Sequence, residues 1–159
     1  MSNKLISLAI VAALTITGTS AYAASAASVI SSMQTAKPLQ MGVADRDGLI
    51  KYKGKTVIAG VLEYNLVNEA RCQACITVGE DSEAMIPKKT NTSYATEFAV
   101  EADNPNINAL KLDKNKCWLV PMVVEIDGYY SDSYEGGQDG ANIREILRTG
   151  KAIPTSCNN

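Results

Sequence analysis

Four cysteines carry the most reactive side chains of this sequence, and two of them lie three positions apart in Cys72-Gln73-Ala74-Cys75. A redox-active pair of this spacing needs a thiolate stabilised at a helix start, whereas Ile76-Thr77-Val78 is typical of a strand. Covalent haem attachment needs a histidine directly after the second cysteine, and the sequence contains no histidine. A four-cysteine zinc site is disfavoured by the wide spacing of the other two cysteines. The cysteines are therefore predicted to form structural disulfides.

An even number of cysteines in an exported chain predicts two disulfides among Cys72, Cys75, Cys117 and Cys157. Three pairings are open to four cysteines. Residues three apart on a regular strand point to opposite faces, which favours pairing of Cys72 and Cys75 with the two distant cysteines. A local Cys72–Cys75 disulfide made in a turn is the alternative.

The absence of histidine excludes Ser-His-Asp and Cys-His nucleophilic sites. Carboxylates could still perform acid–base chemistry, and Glu125 and Asp127 lie two apart on one side of a long strand candidate. Two carboxylates on the polar side of a strand are more often simply solvated. We therefore assign no catalytic residue and no cofactor.

One segment begins like a calcium loop, with alternate carboxylates and a glycine in Asp45-Arg46-Asp47-Gly48. No further acidic ligand and no closing glutamate follow it. Asp and Gly at these positions are also typical of a tight turn. We therefore interpret this segment as a hairpin turn and predict no metal site.

The strongest candidate for a binding surface is the segment Gly128–Gly140, which contains Tyr129, Tyr130 and Tyr134 among serines and glycines. Tyrosine rings give a large contact area at low entropic cost, and Ser and Gly let a loop adapt to its ligand. The alternative is a solvent loop whose tyrosines fold back on the domain. The three tyrosines are the predicted ligand- or partner-binding residues.

The N-terminal sequence predicts that this chemistry takes place outside the cytoplasm. Lys4 precedes the apolar run Leu5–Ile16, and the small-x-small sequence Ala21-Tyr22-Ala23 follows. This arrangement is typical of a secretory signal peptide, and the run is shorter than the about 20 residues that span a bilayer. We predict a signal peptide over residues 1–23, a mature chain without a membrane span, and a periplasmic, extracellular or cell-surface location.

The charge of the mature chain restricts its partners. Residues 24–159 hold 14 basic and 17 acidic side chains, a net charge of −3. Nucleic acids and anionic membranes bind concentrated basic faces, and no such face is evident here. The expected partner is therefore a protein or a second copy of this chain, in preference to a small ligand, and not nucleic acid.

Hydrophobic alternation predicts four to six strands that would position these residues. The strand candidates are Val57–Leu66, Cys72–Val78, Tyr94–Val100 and Cys117–Tyr130. Trp118 shares a face of the longest candidate with four aliphatic residues, so it is predicted to be a core residue. Pro121 lies inside that candidate and cannot donate to a ladder, which predicts a local edge or a bulge.

A short C-terminal helix is predicted because Ile143, Ile146 and Leu147 fall at helical spacing and Gly150 suits the position after a helix. Residues 24–40 form an N-terminal extension rich in Ala and Ser, and residues 41–159 form a single β domain. The extension is either a short helix or a segment that becomes ordered against a partner.

The predicted fold is mainly β, stapled by disulfides and completed by the short C-terminal helix. A small Greek-key barrel of the oligonucleotide/oligosaccharide-binding (OB) type and an immunoglobulin-like sandwich both fit. The expected function is that of an exported, non-enzymatic binding or assembly domain, for instance a surface filament or adhesin-like subunit. The alternatives are a carbohydrate- or small-ligand-binding domain and, third, a carboxylate-based hydrolase.

Overall fold

A computed structural model describes residues 29–44, 48–67, 72–86, 97–132 and 137–157 of the 159-residue chain. The predicted signal peptide and the cleavage site at Ala24 lie outside these residues. So do most of the predicted turn after Ala44 and three of the seven tyrosines, Tyr22, Tyr94 and Tyr134.

Eight strands make up most of the described chain, more than the four to six predicted. They are β1 (Gln40–Ala44), β2 (Leu49–Lys53), β3 (Lys55–Tyr64), β4 (Ala74–Val78), β5 (Glu97–Ala99), β6 (Cys117–Asp132), β7 (Gly140–Thr149) and β8 (Ile153–Thr155). Helical structure is short: residues 29–35 (α1), a 3₁₀ helix over Glu80–Met85, and α2 over Pro105–Asn108. The mainly β fold is confirmed.

Five of the strands close into a ring. β3 pairs antiparallel with β4, β4 pairs antiparallel with β5, and β6 returns after a long connection to lie antiparallel beside β3. This spatial order of fourth, first, second and third strand is a Greek key. β7 completes the ring because it pairs antiparallel with β6 and parallel with β5. The strand order is thus that of the Greek-key barrel, the first of the two predicted architectures.

The barrel interior is filled by side chains from the strands of the ring. β3 and β6 pair from Lys55↔Asp127 to Tyr64↔Trp118 and form its longest wall. Their inward aliphatic residues are fully or almost fully buried: Ile58, Leu62, Val120, Met122, Val124 and Ile126. β3 pairs with β4 on one side and with β6 on the other, so it is a central strand of the sheet.

Pro121 lies in the middle of β6 where the strand changes neighbours. Along one edge, β6 pairs with β8 over Cys117–Leu119 and then with β7 from Met122 to Tyr130. Pro121 falls between the two and needs no N–H on that side, while its carbonyl accepts a bond of 2.7 Å from the backbone N–H of Gly150. The proline therefore occupies a local edge, as predicted.

The predicted C-terminal helix is wrong, because residues 140–149 form strand β7. Val124 pairs with Ile146, but Ile126 pairs with Ile143, so two steps along β6 correspond to three along β7. An extra residue of this kind is a β-bulge. The bulge places inward-facing residues three apart, and this spacing imitates one face of a helix.

The segment before β1 packs against the domain at Leu39. Val29 in α1 is buried, Leu39 is buried, and the backbone N–H of Leu39 donates to the carbonyl of Met85 at 3.2 Å. β1 then pairs antiparallel with β2, as expected for strands joined by a hairpin turn. None of the helices in the described part of the chain has the length and apolarity needed to cross a membrane.

Both disulfides are internal, and no cysteine is free. Cys117 is bonded to Cys157 with Cα atoms 5.4 Å apart, and Cys72 is bonded to Cys75 with Cα atoms 5.8 Å apart. The favoured pairing of Cys72 and Cys75 with distant partners is therefore wrong. β4 begins at Ala74, so Cys72 precedes the strand and its side chain does not follow the alternation that the prediction assumed.

Candidate functional site

The predicted binding tyrosines lie near the carboxyl end of β6, where the inward-facing register of the strand changes. Even-numbered residues are buried from Val120 to Ile126, but beyond Gly128 the buried residues are Tyr129 and Ser131. Gly128 has φ of +59°, a conformation that glycine adopts at little cost. This local irregularity turns Tyr129 into the barrel and Tyr130 away from its interior.

Tyr129 belongs to the core. Its side chain is fully buried, and its ring makes edge-to-face contacts with Tyr52 and Phe98, with ring centroids 5.5 and 5.9 Å apart. Burial raises the pKa of the Tyr129 hydroxyl far above its ordinary value, and the neighbouring Asp139 carboxylate adds to this rise. Tyr129 is therefore placed as a structural residue with no exposed surface for a ligand.

Asp139 is the residue that binds the two ends of the β6–β7 loop (residues 133–139) together. Its carboxylate is buried and accepts hydrogen bonds from the Tyr129 hydroxyl at 2.7 Å, the Ser131 hydroxyl at 3.1 Å and the Asp132 backbone N–H at 3.1 Å. Its own carbonyl accepts a bond of 2.8 Å from the backbone N–H of Ala99. Three donors on one buried carboxylate compensate for much of its desolvation.

Tyr130 remains half-buried on the other side of β6. It pairs with Gly140 across the ladder, and its ring lies over that glycine so closely that an added Cβ would overlap the phenol. The carboxylate of Asp132 lies over Gly137 in the same way. Both side chains therefore cover backbone of the loop and its exit and contribute to the surface there. Tyr134, the third predicted residue, lies outside the described residues.

The β6–β7 loop also contacts the Cys72–Cys75 disulfide. The side-chain amide of Gln138 donates to the sulfur of Cys75 at 3.1 Å. Gln138 and Asp139 together join the loop to the start of β4 and to the end of β5. Sequence analysis did not single out Gln138, since no local pattern indicates a contact across 63 positions.

The carboxylate pair considered for acid–base chemistry forms a separate network on the outer face of β6. Glu125 lies 3.2 Å from the Lys55 ammonium and 3.1 Å from the Arg144 guanidinium. Asp127 lies 3.3 Å from the same guanidinium and accepts a bond of 3.0 Å from the side chain of Asn142. Both carboxylates are thus engaged by cationic or amide donors.

Two further predictions concern metals and Trp118. Among the described residues, no three Cys, Asp or Glu side chains are grouped so that they could hold a metal ion.

Trp118 is partly buried, packs against the core and donates its indole N–H to the carbonyl of Asp113 at 3.0 Å. Its ring therefore lies at the margin of the core.

Comparison with known proteins provides no further assignment of the site. No family model matches the chain, and no curated protein or solved structure is significantly similar to it.

Proposed function

We propose that this chain is an exported, non-enzymatic binding or assembly domain that contacts a protein partner through its β6–β7 loop. The observation that carries the proposal is the difference between the base of the loop and its surface. Asp139 holds the base through Tyr129 and Ser131, while Tyr130 beside it is only half-buried. A hydrogen-bonded base beside a tyrosine that reaches the surface is an arrangement that loop-based binding sites use.

Export is supported by the two disulfides together with the signal-peptide pattern of the first 23 residues. Disulfides persist in oxidising compartments and are rare in the cytosol. The periplasm, the cell surface and the extracellular space all meet this condition.

A non-enzymatic role is supported by the absence of histidine and by the engagement of the best carboxylate pair. Arg144 lies between Glu125 and Asp127 and contacts both. The hydrolase is therefore the least supported of the three functions.

A protein partner is favoured over nucleic acid because the mature chain has a net charge of −3. The outer face of β4 and β5, next to the loop, carries the exposed carboxylate of Glu97 and no lysine or arginine on either strand. A surface filament or adhesin-like subunit, in which the partner is a second copy, is one form of such a domain.

A carbohydrate-binding domain is the second candidate because of the topology of the ring. Barrels of the OB type bind oligosaccharides and oligonucleotides on their second and third strands and on the two loops that border them. The connections at the equivalent places run from β3 to β4 and from β6 to β7, and Gln138 of the second contacts Cys75 at the start of β4. A fold does not by itself imply a function, so carbohydrate binding ranks below binding of a protein partner.

The proposal is tested by sedimentation of the purified mature chain over a range of concentrations. We expect concentration-dependent association that weakens at least tenfold, about 1.4 kcal/mol, when Tyr130 and Tyr134 are both changed to Ser. Ile153→Ser is the matched control, because Ile153 is 52% exposed on β8 and pairs with Leu119 near the opposite end of β6.

Equal association of the double variant and the wild type, with both folded, would contradict a role for the loop in assembly. A monomer at all concentrations whose melting temperature rises in the presence of an oligosaccharide would favour the carbohydrate-binding alternative instead.

A further inference from the structure

The two disulfides differ in how their sulfurs are surrounded. Each disulfide joins a half-buried cysteine, Cys72 or Cys157, to a buried one, and Cys75 on β4 is 3% exposed. The buried sulfur of Cys75 receives the side-chain amide of Gln138 at 3.1 Å. Cys117, the buried partner in the other disulfide, is 1% exposed, and no donor among the described residues reaches its sulfur.

We propose that Cys72–Cys75 is a thiol–disulfide exchange site, in which an external thiolate attacks the Cys72 sulfur and Cys75 is the leaving group. Access decides which sulfur is attacked, and the stability of the departing thiolate affects the rate. Cys72 supplies the access. Gln138 supplies a hydrogen bond that becomes charge-assisted, and therefore stronger, when Cys75 becomes a thiolate.

The exchange consumes two external thiols for each protein disulfide that is reduced. The first thiolate forms a bond to the Cys72 sulfur, the Cys72–Cys75 bond breaks, and its electron pair remains on Cys75. A second thiolate attacks the external sulfur of this mixed disulfide and releases Cys72 as a thiolate. The external thiols are oxidised to their disulfide, the protein pair is reduced, and each protein thiolate takes a proton from solvent.

The effect of the exchange would extend into the β6–β7 loop. Gln138 directly precedes Asp139, whose carboxylate accepts the hydrogen bonds at the base of the loop. Opening of the disulfide therefore changes the acceptor of the Gln138 hydrogen bond from a disulfide sulfur to a thiol or thiolate. The exchange chemistry itself does not depend on what the loop binds.

The test exposes the folded mature protein to reduced glutathione, followed by alkylation, denaturation, full reduction and a second alkylation with a heavier reagent. Peptide masses then report the extent of reaction at each cysteine. We expect Cys72–Cys75 to react about tenfold faster than Cys117–Cys157, with the glutathione adduct on Cys72. Equal rates, faster reaction of Cys117–Cys157, or an adduct on Cys75 would overturn the proposal.

The role of Gln138 is tested with Gln138→Glu, which replaces the donor by a carboxylate facing the leaving sulfur. We expect exchange at Cys72–Cys75 to slow about threefold to tenfold. Gln40→Glu on the edge strand β1 is the control for the added charge, since three strands separate β1 from β4 in the sheet. Gln138→Ala removes the donor without adding charge and should slow exchange to a smaller extent. If both Gln138 variants react at the wild-type rate, Gln138 does not stabilise the leaving group.

Discussion

Tyr129 and Tyr130 are adjacent on β6 but lie in opposite environments. Tyr129 is fully buried, contacts two aromatic rings and donates to Asp139. Tyr130 is half-buried, and its ring covers the backbone of Gly140 on the outer side of the strand. Residue type alone therefore does not identify a contact surface, because the direction of the strand decides which tyrosine anchors the fold and which reaches its surface. The proposed binding surface consists of Tyr130 and the loop that follows it, with Tyr129 as its anchor.

The largest effect that would test this comparison is expected at Asp139. Asp139→Ala leaves two buried hydroxyls and one backbone N–H without their acceptor, and we expect a loss of about 3–5 kcal/mol in the free energy of unfolding. Chemical denaturation measures it, with Asp103→Ala on the exposed surface as the control. A loss below about 1 kcal/mol would mean that Asp139 does not hold the loop base.

The next effect concerns the Tyr129 hydroxyl. Tyr129→Phe keeps the ring contacts and removes one hydrogen bond to a carboxylate, so we expect a loss of about 1.5–3 kcal/mol at neutral pH. Denaturant unfolding of the variant measures the loss. Unchanged stability combined with weaker association would instead identify Tyr129 as a contact residue.

A smaller effect is expected on the outer side at Gly140. Gly140→Ala would place a methyl group against the Tyr130 ring, and we expect a loss of about 1–3 kcal/mol as the ring is displaced. The same substitution in a Tyr130→Ala background should cost less, since the overlapping ring is absent. Equal costs in both backgrounds would show that the two residues are not coupled.

Much of the fold could be predicted from the sequence, since alternation is the signal that a buried strand leaves. β3 and β6 were located within a few residues, and the edge at Pro121 follows from its missing N–H. β7 was mistaken for a helix because the bulge opposite Glu125 and Ile126 changes the spacing of its inward residues from two to three. Bulges depend on the partner strand, and a single segment does not reveal them.

The candidate site was predicted less well because it also depends on a local irregularity of a strand. Gly128, with its positive φ, reverses the buried side of β6, so the sequence grouped Tyr129 with Tyr130 although they face opposite ways. The role of Asp139 as the hydrogen-bond acceptor at the loop base was not predicted. Its three hydrogen-bond donors come from residues 129–132, and the chain reversal that brings them together is a property of the folded barrel.

The smallest effect is expected at Tyr130. Tyr130→Phe retains the ring over Gly140 and removes only the hydroxyl of a half-buried side chain, so we expect a change within about 0.5 kcal/mol in the free energy of unfolding. Thermal melting beside the wild type is sufficient to measure it. A loss as large as that of Tyr129→Phe would remove the distinction between anchor and surface residue.

The most direct test of this distinction is the free energy of unfolding of the wild type, Tyr129→Phe and Tyr130→Phe between pH 7 and pH 11. Burial and the Asp139 carboxylate raise the pKa of Tyr129 in the folded state. In the unfolded chain, a tyrosine has a pKa of about 10. The stability that Tyr129 confers is therefore fully present below about pH 10 and is lost as the pH rises, by up to about 1.4 kcal/mol per pH unit. The account predicts that Tyr129→Phe removes this part of the alkaline loss and that Tyr130→Phe retains it. Parallel curves for the wild type and Tyr129→Phe would contradict the assignment of Tyr129 as the buried anchor.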